Sequence, residues 1–161
     1  MPASGKRIFN SHFYLAIEAY TMIPVFVEYV TNDSYIAQGS FIDLFDPQLS
    51  VLKEKTVAVG EQAYLYDLNK VPSDKPQVLA TAARIYDEKI GKNSYSFVAK
   101  SPVNTTNVMR ISLPYNPKKS LIQNTKGETP INSTLQWDET SKTCLISFEN
   151  DPDGVTVSVE W

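Results

Sequence analysis

The sequence predicts an all-β protein, a two-sheet β-sandwich of Ig-like or jelly-roll character, with about ten to twelve short strands. Three observations carry that expectation. Cys144, Ile146 and Phe148 alternate with other residues, and Val155, Val157, Val159 and Trp161 alternate with Thr156, Ser158 and Glu160. That period of two is the mark of a half-buried strand. Short apolar runs of the same kind recur along the chain, parted by Pro, Gly, Asn and Asp. The prolines fall mostly between these runs, as they must where a ladder needs every backbone N–H.

Taken in order, Tyr14 to Tyr20 alternates loosely and Met22 to Val30 is densely apolar around Pro24. Tyr35 to Leu44 is a strand, with Gly39 at a bulge or a close contact and Asp46-Pro47 ending it. Val51 to Val59 alternates, and Gly60-Glu61 turns the chain into Gln62 to Leu68. Pro72 to Pro76 is a polar loop. It is the candidate internal boundary in what otherwise reads as a single sandwich domain over 1–161. Val78 to Tyr86, V-L-A-T-A-A-R-I-Y, is ambiguous: its alanines suit a helix, and its two apolar faces suit a central strand. The strands before and after it favour the strand. Ser94 to Lys100, Val108 to Leu113, Ser120 to Asn124 and Leu135 to Trp137 follow, with Pro102, Pro114, Pro117 and Pro130 in the gaps. The last two strands, joined by Asn150 to Gly154, read as a β-hairpin. The chain is strand-like within ten residues of its start, so it is expected to be a fragment of a larger protein.

Composition narrows the function. The net charge is −3 and the Lys and Arg residues are scattered, which argues against a nucleic-acid partner. A lone cysteine, Cys144, excludes an internal disulfide and a cysteine-based zinc site, and its phase makes it a buried small hydrophobe. Met1 to Arg7 lacks the apolar run of a leader, and no stretch is apolar enough to span a membrane. Sequons stand at Asn32, Asn104 and Asn132. The one histidine, His12, is too little imidazole for a metal centre or a triad. With six glycines and no glycine-rich phosphate loop or G-x-S-x-G elbow, no cofactor is expected.

The candidate sites are of three kinds. The acid pairs Asp43 and Asp46, Asp87 and Glu88, and Asp138 and Glu139 suit hydrolysis, which needs two carboxylates roughly 5–10 Å apart. Each pair also sits where turns want a carboxylate, and that is the reading favoured here. Arg84 and Arg110 interrupt apolar strands and should be paired if buried, with Asp43 or Asp87 as partner, or with an anionic ligand. Aromatics next to polar side chains suit sugar, whose C–H face packs on a ring while its hydroxyls find hydrogen bonds. Trp137, beside Gln136, Asp138 and Glu139, is the first choice, with Tyr115 next. Tyr35, Tyr86 and Tyr95 are further candidates, and Tyr64 and Tyr66 share one face of a strand. Trp161 is expected to point into the core.

The segments F-I-D-L-F-D-P-Q-L-S-V-L, V-G-E-Q-A-Y-L-Y-D-L, V-L-A-T-A-A-R-I-Y-D-E and S-F-V-A-K-S-P-V-N-T-T-N-V-M-R-I-S-L-P, with the closing W-D-E-T-S-K-T-C-L-I-S-F-E-N-D-P-D-G-V-T-V-S-V-E-W, have a collective resemblance. From about Phe41 to Trp161 the chain resembles the C-terminal β-rich region of large secreted glycoside-hydrolase-type proteins of polysaccharide utilisation in gut Bacteroidetes. The resemblance implies a C-terminal fragment, a periplasmic or extracellular accessory sandwich fused to a catalytic domain, and carries no functional residues with it. The expected function is therefore a non-catalytic module that binds glycan weakly or docks on an adjacent catalytic domain. The competing expectations are a stand-alone glycan hydrolase and a structural surface or adhesion module.

Overall fold

The computed structural model describes residues 14–18, 24–29, 34–126 and 130–161, and it is all-β. His12 and Asn32 lie outside the described residues. The chain divides into two compact units, Met1–Val71 and Pro72–Trp161, at the start of the polar proline loop.

The first unit is one antiparallel sheet. Its strands are β1 (Tyr14–Glu18), β2 (Pro24–Tyr29), β3 (Tyr35–Asp43), β4 (Val51–Val57) and β5 (Gln62–Asp67), in the order β1-β2-β5-β3-β4. A 3-10 turn over Leu68–Lys70 follows, opened by Asp67, whose carboxylate accepts from the Asn69 N–H at 3.0 Å. The β3–β4 register slips between Gln38 and Phe41, and Gly39 sits in the slip. Glycine is required there because the Phe41 ring lies over it: a Cβ would stand 2.6 Å from Phe41 Cζ. Ala37, Phe41, Val57, Ala63 and Leu65 cluster on the sheet.

The second unit is the sandwich. Its strands are β6 (Gln77–Thr81), β7 (Arg84–Ile90), β8 (Ser94–Lys100), β9 (Thr106–Ser112), β10 (Lys119–Asn124), β11 (Ser133–Asp138), β12 (Thr143–Glu149) and β13 (Val155–Glu160). They form two antiparallel four-stranded sheets, β10-β13-β8-β7 and β11-β12-β9-β6. Both sheets feed one core: Tyr95, Phe97, Ala99, Val155, Val157 and Val159 come from the first, and Met109, Ile111, Cys144, Ile146 and Phe148 from the second. The period-two residues of β12 and β13 are all buried, as their alternation requires.

Two local expectations are corrected. First, β12 and β13 are not a hairpin. β12 pairs with β11 and β9, while β13 pairs with β10 and β8, so the Asn150–Gly154 connection crosses from one sheet to the other. Alternation sets which face is apolar, and two inward faces meet across a sandwich as well as side by side. The crossing is locked locally. The Asn150 N–H donates to Thr105 O at 2.9 Å, Asp151 Oδ1 accepts from the Asp153 N–H at 2.8 Å, and the Gly154 N–H returns to Asp151 O at 3.0 Å. Second, Val78–Tyr86 is neither a helix nor a central strand. It bends at Ala82-Ala83 and supplies the edge strands β6 and β7 of opposite sheets. Thr81 makes the bend: its hydroxyl accepts from the Ala83 N–H and donates to Asn107 Oδ1, both at 3.1 Å. Apolar residues on both sides of that run reflect the change of sheet.

Candidate functional site

Of the carboxylates expected from sequence, Asp43, Asp46 and Asp138 accept hydrogen bonds from nearby backbone N–H groups. Asp43 accepts from the Phe45 N–H at 3.1 Å and meets Lys55 Nζ at 3.0 Å. Asp46 accepts from the Gln48 and Ser50 N–H groups at 2.9 and 3.0 Å, and those bonds hold its carboxyl below the usual carboxylate range. Asp87 takes a left-handed backbone (φ 52°) beside a register slip in β7, and Glu88 accepts from the hydroxyl of buried Tyr95. Burial and then Glu88 push that phenol up. Asp138 accepts from the Thr140 and Ser141 N–H groups at 2.8 and 3.3 Å. Asp46 and Asp138 carry turn chemistry, and Glu88 a contact to a buried phenol. Among the described residues no group of His, Cys, Asp or Glu is placed to hold a metal.

The arginines part company. Arg84 is exposed on edge strand β7, so its position demands no buried counter-ion. Arg110 is buried, and its Nη1 donates at 2.8 Å to Thr143 Oγ1, with Ser141 Oγ at 2.7 Å from the same hydroxyl. The strand register of β9 and β12 sets up that contact, with Thr143 opposite Ser112 and Leu145 opposite Arg110. Cys144, on the opposite face of β12, is fully buried, and burial pushes its thiol up to about 12. It is inert at neutral pH.

The expected Trp137 platform does not assemble. Trp137 packs against the sandwich core, whereas its neighbours Gln136 and Asp138 alternate to the other face of β11. The Trp137 indole N–H donates to Glu139 Oε2 at 2.7 Å. The other oxygen of Glu139 holds the Lys142 ammonium. That ammonium, and then the indole N–H, keep the Glu139 carboxyl below its usual range.

A concave site lies elsewhere on the second unit. A pocket of about 540 Å³ is lined by Ser73, Asp74, Lys75 and Pro76 before β6, by Ile90 to Asn93 at the β7–β8 turn, and by Pro114 and Tyr115 after β9. Lys142 and Trp161 complete the wall. Such a volume is within the range of small-ligand pockets, about 300–1,000 Å³. Backbone bonds fix its rim: the Trp161 N–H donates to Asn93 O, and the Leu113 N–H to Lys142 O, both at 3.1 Å. Trp161 is half-buried, packing on the core while lining the pocket. Tyr115 and Ile90, the two most exposed large hydrophobic residues described, at 68% and 62%, share this one rim. Tyr115 was legible as a candidate. Trp161 was read as wholly inward, because its phase says which face it shares but not that the sandwich ends there.

The chain matches no protein-family model, no curated protein and no solved structure.

Proposed function

We propose that the second unit is a non-catalytic glycan-binding sandwich, an accessory module of a carbohydrate-active protein, and that sugar enters the Tyr115–Trp161 pocket. The observation that carries this reading is the pairing of those two aromatics in one 540 Å³ concavity with Asn93, Asp74 and Ser73. A pyranose ring would lay its C–H face on an aromatic while amide, carboxylate and hydroxyl groups take its hydroxyls. A hydrolase acting here would need a second carboxylate, and the lining supplies one, Asp74. The affinity should be weak, on the order of micromolar to millimolar, because an open pocket buries little surface.

The test is a glycan array followed by titration of the best hit. Tyr115→Ala should weaken binding roughly tenfold or more, since one stacked ring supplies about 1–3 kcal/mol of contact, while leaving the thermal transition in place. Gln136→Ala, on the outer face of β11, should change nothing. Binding that ignores Tyr115→Ala moves the site away from the pocket, and an array with no hit sinks the glycan reading.

A further inference from the structure

We infer that the sugar taken by this pocket is acidic, bearing a carboxylate or a sulfate. The inference rests on the glycan reading above and concerns the charge of the lining. Lys75, Lys92 and Lys142 are three of the twelve lining residues, in a chain with 15 Lys and Arg among 161. Asp74 is the one acid among them. The protein as a whole carries −3, so this cluster runs against the overall sign.

The three lysines are not equivalent. Lys142 is committed to Glu139, which holds its ammonium and fixes its direction. Lys75 and Lys92 are exposed, and neither enters an ion pair among the described residues. They come from different loops, the segment before β6 and the β7–β8 turn, and the fold alone brings them to one rim. Lys75 and Lys92 together outnumber Asp74 in the lining, and an excess of positive charge in a concavity focuses a positive potential into it. An anionic group gains from that potential, and a neutral sugar does not. Lysine suits the task as a point charge that follows the ligand, without the fixed fork an arginine would impose. Tyr115 and Trp161 supply the ring contact, and Lys75 and Lys92 select for charge.

The experiment uses the full chain and matched sugar pairs: a uronic-acid tetrasaccharide and its methyl ester, and a sulfated galactan tetrasaccharide and its desulfated form. Each is titrated calorimetrically at low and at physiological salt. The charged member of one pair should bind roughly fivefold or more tighter at low salt, as expected for two exposed charge contacts. That advantage should shrink as salt is added. The pair that shows it tells carboxylate from sulfate. K75Q/K92Q should erase the preference while keeping the residual binding of the neutral form, and Tyr115→Ala should weaken both forms alike. Equal binding of charged and neutral members, still sensitive to Tyr115→Ala, overturns the acidic-sugar inference and leaves the glycan reading standing. A preference that survives K75Q/K92Q overturns it too, by placing the selecting charge elsewhere. Failure of every sugar, neutral ones included, removes the glycan reading itself and the inference with it.

Discussion

The two units bury their side chains in different ways. In the first, Leu65 and Tyr66 are neighbours on β5, hence on opposite faces, and each is 1% exposed. β5 is therefore buried on both of its faces there. In the sandwich, burial alternates along β12 and β13, with Cys144, Ile146, Phe148 and the three valines of β13 inside and the intervening residues half-buried. A sheet covered on both faces must satisfy polar atoms inside, and Asp43 shows it: buried on β3, it needs Lys55 and the Phe45 N–H. The sandwich does the same along β9, where Met109 to Ser112 are all buried and the Arg110 guanidinium donates to Thr143. Of the buried polar or charged residues described, Asp43 lies in the first unit and Asn107, Arg110, Ser112 and Thr143 in the second, so both units combine apolar packing with polar pairing.

The largest effect expected from that contrast is in the sandwich core. Phe97 is 1% exposed and lies 5.2 Å from Tyr95, ring to ring. Phe97→Ala should cost about 3–5 kcal/mol in denaturant unfolding, through lost transfer energy and an unfilled cavity. Leu65→Ala in the first unit removes a smaller side chain and should cost about 2–5 kcal/mol, less than Phe97→Ala if the sandwich core is the tighter. A larger loss for Leu65→Ala would reverse the comparison and put the tighter core in the five-stranded sheet.

The next contrast is between two glycines with positive φ. Gly154 (φ +116°) immediately precedes β13, and a Cβ there would stand 2.7 Å from Val98 Cγ1 and 3.0 Å from Thr125 Cγ2. Gly154→Ala should therefore cost about 2–4 kcal/mol, backbone strain and overpacking together. Gly60 (φ +82°) turns the chain between β4 and β5 with nothing within 4 Å of its would-be Cβ. Gly60→Ala should cost about 1 kcal/mol, from the backbone alone. Equal losses in thermal unfolding would mean that crowding at the sheet crossing contributes nothing.

That crossing also shows what the sequence could carry. Alternation identified which residues of β12 and β13 face inward, because the pleat dictates it. It could not say which strand lies alongside, because a five-residue connection serves a hairpin and a sheet change alike. Val78–Tyr86 failed for a related reason: a run apolar on both sides is one central strand or two edge strands, and the bend depends on Thr81 bonding to Asn107, a partner 26 positions away. The turn roles of Asp46 and Asp138 were legible, since their partners are two to four residues on. The alternation of β11 already set Gln136 and Asp138 on the other face from Trp137. The pocket was beyond reach, because Lys75, Lys92, Tyr115 and Trp161 meet only through strand order.

The smallest effect separates two ion pairs with the same 3.0 Å separation. In the first unit Lys55 meets Asp43, whose side chain is 6% exposed. In the second Lys126 meets Asp153, with side chains 65% and 63% exposed. Lys55→Met leaves a buried carboxylate held by the Phe45 N–H, so it should cost about 1–3 kcal/mol, the penalty of an under-satisfied buried group. Lys126→Gln should leave the denaturation midpoint where it is. Water already solvates both groups, and holding two mobile side chains together offsets the weak attraction. The Asp153 carboxyl is nevertheless held below its usual range by Lys126, so its stabilising contribution is present above the ordinary carboxylate pKa and fades as pH falls through the lowered value. Full exposure keeps that contribution small, so the titration should be followed by NMR more easily than by unfolding, and adding salt should raise the Asp153 pKa toward normal. A Lys126→Gln loss as large as that of Lys55→Met would show that separation, rather than burial, decides what an ion pair is worth in this protein.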